Sequence, residues 1–274
     1  MEVQRDQIIK VIEGGLKNNP SVFAFWLEGA DSTNTVDQYS DIDIWLDVED
    51  GEESAVFSEV ERALLKLGEL DLFYELEHPH PQIRHKVLHL KDTPDSLLLD
   101  VCVQSHSRNF EFVRGLHDEP KVIFDKANAV KFREFDKLEF RRELEQRIYH
   151  LKNAFVQKSR VLTKIERGEF LEAMMYYQKW ILEPLVELLR IKYIPRKRDY
   201  HFKHISRDLP KEVVRQLEDL CKIQSMEEIK QKVESATELF EVTLTEIERE
   251  FAVKEQTART PSASWNQFER KTSR

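Results

Sequence analysis

Residues 26–46 constrain this chain more than any other stretch. They read Trp26-Leu27-Glu28-Gly29-Ala30, a polar run through Ser40, and then Asp41-Ile42-Asp43-Ile44-Trp45-Leu46. The pattern predicts a strand, a loop opened by glycine and a second strand. Side chains alternate along a strand, so Asp41, Asp43 and Trp45 share one face while Ile42, Ile44 and Leu46 point into a core. Two carboxylates so placed, with roughly 6.5–7 Å between their Cα atoms, repel each other unless a cation sits between them. A hard divalent cation bound by oxygen, above all Mg²⁺, suits such a pair.

A chain of 274 residues, 41 % of them hydrophobic, has enough apolar content for two domains with real cores. No apolar run reaches the roughly 18 residues a membrane span needs, and the first residues lack the basic-then-apolar layout of a signal peptide. The expectation is a soluble, cytoplasmic protein with no membrane partner. Cys102 and Cys221 lie far apart and make neither a disulfide framework nor a zinc site, so both are expected to be buried thiols. Charge divides unevenly: residues 1–125 hold 11 basic and 26 acidic residues, a net −15, whereas 126–274 hold 31 and 25, a net +6. The acidic half carries the carboxylate stretch, and a solvated surface without a partner explains such a split as readily as a cationic ligand does.

In the first half, Ile8, Val11, Ile12 and Leu16 have helical spacing, closed by Gly14-Gly15 and Pro20. A strand over 22–27, the Asp-bearing strand and a helix over 52–67 follow. Strands are expected over 71–76, 85–91, 97–103 and 122–126, the middle two joined across a Thr93-Pro94-Asp95-Ser96 turn. Asp100 interrupts the apolar run of 97–103, and a buried carboxylate without a partner would cost several kcal/mol by order of magnitude, so it needs a partner or a cation. From about residue 134 the pattern turns helical: one helix carries Leu144, Ile148, Leu151 and Phe155 and continues to Ile165, and a second runs over 170–192 with a kink at Pro184. A third opens near Leu209-Pro210 with Asp208 as its cap, and a fourth covers 226–253. The domain expectation is 1–128, 129–254 and a flexible polar tail over 255–274.

Asp41, Asp43 and Asp100 on strands of one sheet, with a Gly-opened loop ten residues before Asp41, describe nucleotidyl transfer. Two metal ions on three carboxylates can polarise a phosphorus centre and neutralise a leaving pyrophosphate. Asp100 can also accept the attacking hydroxyl's proton, and the glycine loop offers backbone N–H groups to phosphate oxygens.

These residues resemble the nucleotidyltransferase superfamily, which includes polymerase-β-like enzymes and the aminoglycoside and lincosamide adenylyltransferases. Gly29-Ala30, ten residues, Asp41-Ile42-Asp43-Ile44 and the later Asp100 match its arrangement of a glycine turn, an Asp-hydrophobic-Asp pair and a third carboxylate. Ala30 stands where the family usually has Ser or Gly, and Glu28 where an apolar residue is common; Ser32 offers a replacement hydroxyl. The resemblance implies an α+β fold, a small mixed-sheet catalytic domain followed by a C-terminal helical bundle. It implies Asp41, Asp43 and Asp100 as metal-binding and catalytic residues, with Gly29, Ala30, Ser32 and Ser40 on the nucleotide. Arg196, Lys197 and Arg198, in the loop after the second helix, suit either the triphosphate or a solvated interhelix loop. It further implies two Mg²⁺ ions, ATP or another NTP, and a small hydroxylated acceptor of aminoglycoside or lincosamide type, hence antibiotic resistance. Nucleic acid is not an expected partner, and a homodimer stays open.

Two other readings compete. A metal-dependent glycosyltransferase accounts for the Asp-x-Asp pair but leaves Gly29 and Asp100 unexplained. A nucleotidyltransferase-fold binding module, an antitoxin or regulator without turnover, would use the helical half as a partner surface; Arg198 and His204 carry the spacing of helical ribonuclease toxins, a two-residue match. Asp31, Asp37 and Asp47 are read as surface groups, Cys102 as a core thiol, and His78, His80, His201 and His204 as structural or surface residues. Tyr176, Tyr177, Trp180 and Tyr200 suit either an acceptor cleft or the helical core.

Overall fold

The computed structural model describes residues 3–116 and 118–258. It divides into two compact units, Met1–Phe135 and Asp136–Arg274.

In the first unit, α1 (Arg5–Leu16), β1 (Val22–Leu27), α2 (Gly29–Thr33), β2 (Ile42–Val48) and α3 (Glu53–Leu64) are followed by β3 (Leu70–Leu76), β4 (Ile83–Leu90) and β5 (Leu99–Ser105). Then come β6 (Glu111–Val113), β7 (Lys121–Asp125) and β8 (Lys131–Arg133). Six strands form one mixed sheet in the order β3-β4-β5-β2-β1-β7. All neighbours are antiparallel except β2 and β5, which run parallel because α3, β3 and β4 intervene between them.

Ile42, Ile44, Leu46 and Val48 of β2, with Val101 and Val103 of β5, pack under Ile8, Ile12 and Leu16 of α1 and Val56, Phe57, Val60 and Leu64 of α3. Burying one such side chain contributes about 1.5–3 kcal/mol. This layer is why β2 alternates, and it commits the other face of β2 to Asp43 and Trp45. A bulge between Val22 and Ala24 rotates β1, so that Phe25 and Leu27 join the helix-covered core. Ala24 and Trp26 serve a smaller cluster with Val130, Trp45, Phe112 and Phe132 on the opposite face. Strands β6 and β8 pair in parallel beside this cluster; at three residues each they are too short to leave a periodicity in sequence. They also carry the first unit past residue 128, to Phe135.

One sequence expectation changes here. Asp31 and Asp47, read as surface groups, are buried, 5 % and 2 % exposed, and each has a partner on another element. The strand expected over 71–76 forms as β3 at the edge of the sheet, with Leu72, Phe73, Tyr74 and Leu76 exposed.

The second unit is helical: α4 (Lys137–Val156), α5 (Lys158–Glu166), α6 (Phe170–Tyr177), α7 (Glu183–Tyr193), α8 (Ile205–Asp208), α9 (Lys211–Cys221) and α10 (Met226–Ala258). Asp136 caps α4, accepting from the backbone N–H groups of Leu138 and Glu139. The expected single helix through Ile165 breaks at Gln157. The expected kink at Pro184 is a widened turn over Gln178–Leu182, which lets α7 begin around a residue that has no N–H to donate. Asp208 does not cap α9; it ends α8 and pairs with Arg190, which is 0 % exposed and also donates to the His201 and Lys203 carbonyls. Tyr177 is buried with its hydroxyl on the Leu220 carbonyl, and Tyr176 and Trp180 pack partly buried against the same core. Cys221 is exposed rather than buried. The polar tail expected over 255–274 lies, beyond Ala258, outside the described residues. Among those residues no helix is long and apolar enough to cross a membrane.

Candidate active site

Parallel pairing of β2 with β5 sets Asp43 directly beside Asp100. Neighbouring strands lie about 4.8 Å apart, so the two carboxylates emerge side by side on the face the helices leave open. Asp41, one residue before β2, completes the group: one oxygen from each of Asp41, Asp43 and Asp100 lies within 4.8 Å of the others, and all three side chains are half-buried. Three anionic oxygens at this spacing fit a hard, oxygen-loving divalent cation.

Gly29 stands at φ +58° against this group, and a Cβ there would overlap Asp43 Oδ2 and come within 3.0 Å of its Cγ. Its glycine is therefore explained first by the close approach of Asp43. The segment after it is a short helical turn rather than an open loop. Ser32 Oγ donates to the Gly29 carbonyl at 2.9 Å, and the Ala30 carbonyl accepts from Thr35 N–H at 3.0 Å. Ser40 Oγ donates to Asp37 Oδ1 at 2.9 Å, and its own carbonyl accepts from Arg5. Arg196, Lys197 and Arg198 belong to the second unit, where Arg198 donates to Glu143 at 2.9 Å and Lys197 lies 4.0 Å from Asp208.

Two neighbours of the carboxylates, His85 and Arg5, are not singled out by the sequence. His85 of β4 donates from Nε2 to Asp100 Oδ1 at 2.9 Å. Glu28 gives its backbone N–H to the Asp43 carbonyl at 3.1 Å and accepts the Trp26 indole N–H at 2.9 Å. Trp26 and Trp45 stack with centroids 6.0 Å apart. Arg5 of α1 donates to Asp31 and to the carbonyls of Ser40 and Asp41. Alternation along residues 85–91 would have exposed His85 had the neighbour of its strand been known; nothing local marks Arg5.

Burial, with the negative field of Asp100, Glu28 and Asp43, pushes the Cys102 thiol up to about 12. It stays protonated at neutral pH and is no nucleophile, as the core-thiol reading expects. Asp47 further along β2 accepts from Gln104 Nε2 at 2.7 Å and His106 Nδ1 at 2.6 Å, which ties β2 to the end of β5.

The sequence matches the family model described as streptomycin adenylyltransferase over residues 2–264, nearly its whole length. The chain belongs to the streptomycin adenylyltransferase family. It is a nucleotidyltransferase with a mixed α/β domain and a helical C-terminal region, as the glycine turn and three carboxylates lead one to expect. No curated protein matches the chain. Among solved structures, an aminoglycoside 6-adenyltransferase from Bacillus subtilis is similar over 91 % of this chain and 92 % of its own, with 15 % identity and a TM-score of 0.39. A spectinomycin adenyltransferase from Enterococcus faecialis, solved with ATP and spectinomycin, covers 88 % and 96 % at 9 % identity and a TM-score of 0.31. A nucleotidyltransferase-like protein from Exiguobacterium sibiricum covers 89 % and 75 % at 13 % identity and a TM-score of 0.33.

Proposed function

We propose that this protein transfers AMP from ATP to a hydroxyl of a small polycationic acceptor of the aminoglycoside type. The observation that carries the reading is the same-register pairing of Asp43 with Asp100, with Asp41 completing a three-carboxylate group within 4.8 Å. Asp41, Asp43 and Asp100 hold the metal, and Asp100 accepts the proton of the acceptor hydroxyl as its oxygen attacks the α-phosphorus and pyrophosphate leaves. Mg²⁺, two ions in this reading, neutralises phosphate charge and polarises the phosphorus when bound. The turn at Gly29 and Ala30, with Ser32 and Ser40 beside it, takes the triphosphate. Arg196, Lys197 and Arg198 offer anion-binding groups on the second unit. The excess of 26 acidic over 11 basic residues in 1–125 draws a cationic acceptor to this half of the chain. Family membership supports adenylyl transfer, and the family's description puts streptomycin first among acceptors to try. A reaction that consumes ATP belongs in the cytoplasm.

The test is pyrophosphate release from ATP and Mg²⁺ across a panel of aminoglycosides, spectinomycin and lincosamides. Release that depends on one acceptor class, and its abolition in Asp43→Asn with an unchanged melting temperature, is the expected result. Undiminished turnover by Asp43→Asn, or hydrolysis of sugar nucleotides with no pyrophosphate formed, overturns it.

A further inference from the structure

Asp41 differs from the other two carboxylates in how the fold holds it. Asp43 and Asp100 lie inside paired strands, whose ladder fixes their backbones on both sides. Asp41 precedes β2, at the end of the exposed segment that follows α2. Its carbonyl is taken by a side chain from elsewhere in the unit. The Arg5 guanidinium, at the first residue of α1, donates through Nη2 to the Asp41 carbonyl and through Nη1 to the Ser40 carbonyl at 2.9 Å. The same group forms a two-pronged pair with Asp31, Nε to Oδ1 at 3.2 Å and Nη2 to Oδ2. Arg5 is 15 % exposed and Asp31 5 %, so the pair is shielded from water.

One planar cation thus joins three points of the chain: the start of α1, the turn after Gly29, and the peptide that enters β2. Only a guanidinium has the donors to meet a carboxylate edge-on and reach two carbonyls as well; an ammonium is a point charge on a flexible stem. Asp31 lies two residues after Gly29, whose Cα abuts Asp43. The clamp therefore ties the turn after Gly29 to the entry of β2.

We propose that Arg5 is a positioning residue that fixes the backbone of Asp41, and through it the geometry of the metal-binding carboxylates, with Asp31 as the counter-ion that holds the guanidinium in place. This rests on the reading of Asp41, Asp43 and Asp100 as a metal site. Residues that orient a ligand from behind typically carry 10–100-fold in metal affinity. Without Arg5, Asp41 keeps its carboxylate and the Ile42 N–H of the same peptide still reaches the Leu98 carbonyl at 2.9 Å, but the carbonyl side of that peptide loses its anchor.

The experiment uses the full chain and Mn²⁺ as the probe, with free Mn²⁺ read by electron paramagnetic resonance in the absence of nucleotide, well below the melting temperature. Wild type, Asp43→Asn, Arg5→Gln, Arg5→Lys and Asp31→Asn are compared, with circular dichroism and a thermal melt for each. The expectation is that Asp43→Asn loses binding, Arg5→Gln weakens it about 10–100-fold, and Arg5→Lys and Asp31→Asn fall between, because each keeps part of the clamp. The Mg²⁺ concentration giving half-maximal pyrophosphate release should rise in the same order. Arg5→Gln with a lowered melting temperature and wild-type Mn²⁺ affinity would show a purely structural ion pair and overturn the proposal. Should Arg5→Gln fail to fold, unchanged Mn²⁺ affinity in both Arg5→Lys and Asp31→Asn has the same force. Wild type that binds no Mn²⁺ overturns the metal-site reading instead, so the two failures are distinct.

Discussion

Replacing Gly29 by alanine separates two roles that a glycine in such a turn can have. An L-residue held at φ +58° costs about 1–2 kcal/mol in any surroundings. At Gly29 the new Cβ also meets Asp43 Oδ2 and lies 3.0 Å from Asp43 Cγ, so the carboxylate must swing away. Gly51 is the matched control in the same unit: φ is +92° and nothing lies within 4 Å of its would-be Cβ. Both variants should melt about 3–10 °C below wild type, from about 1–2 kcal/mol on a unit of this size. Only Gly29→Ala should lose catalysis, about 10–100-fold in pyrophosphate release, the range seen when a metal ligand is misdirected. The assay is initial rates at saturating ATP and acceptor over a Mg²⁺ series, beside melting curves for both proteins. Gly29→Ala with wild-type turnover and a melting temperature equal to that of Gly51→Ala would refute the argument that Asp43 requires the glycine.

Two further predictions concern stability. Burial alone would lower the His89 pKa, but its hydrogen bonds to Asp71 and the Pro94 carbonyl and the charges of Asp71 and Asp95 outweigh that and raise it above 6.5. A raised folded-state value stabilises fully below the unfolded value of 6.5 and fades as pH climbs through the folded one. Stability should therefore fall as pH rises above 6.5, by less than about 1 kcal/mol because Asp71 is half-exposed, and the melting temperature with it; Asp71→Asn should flatten that part of the profile, and an unchanged slope refutes the assignment. In the second unit, Arg190→Met removes the donor to the His201 and Lys203 carbonyls and the buried partner of Asp208. Urea unfolding should show a loss of about 3–5 kcal/mol, and a loss under 1 kcal/mol contradicts this role for Arg190.

What sequence shows of this site follows from how local each relationship is. Alternation in Asp41-Ile42-Asp43-Ile44 is a property of one strand, so the face bearing the carboxylates was readable directly. The need of Asp100 for a partner was readable from its apolar neighbours, but the partners themselves, Asp43 by register and His85 by hydrogen bond, required knowing that β5 lies between β2 and β4. Arg5 and Asp31 are 26 positions apart and belong to no periodic pattern; each looks like a solvent charge until the fold closes. Asp208 failed as a cap for a related reason: local cap chemistry lost to a buried cation brought from α7. Helix existence in the second unit was legible from apolar spacing, whereas the break at Gln157 and the widened turn before Pro184 depend on packing.

The parallel pairing of β2 with β5 has a consequence for how this protein matures. Asp43 and Asp100 are 57 positions apart, and α3, β3 and β4 must all be laid down before they can meet. A slip of one residue would turn Asp100 to the helix-covered face and bring Leu99 or Val101 against Asp43. The three-carboxylate group exists only where β2 and β5 pair in this register. In the metal-site reading, cation affinity is then a gauge of correct β2–β5 pairing, a contact that is non-local in sequence.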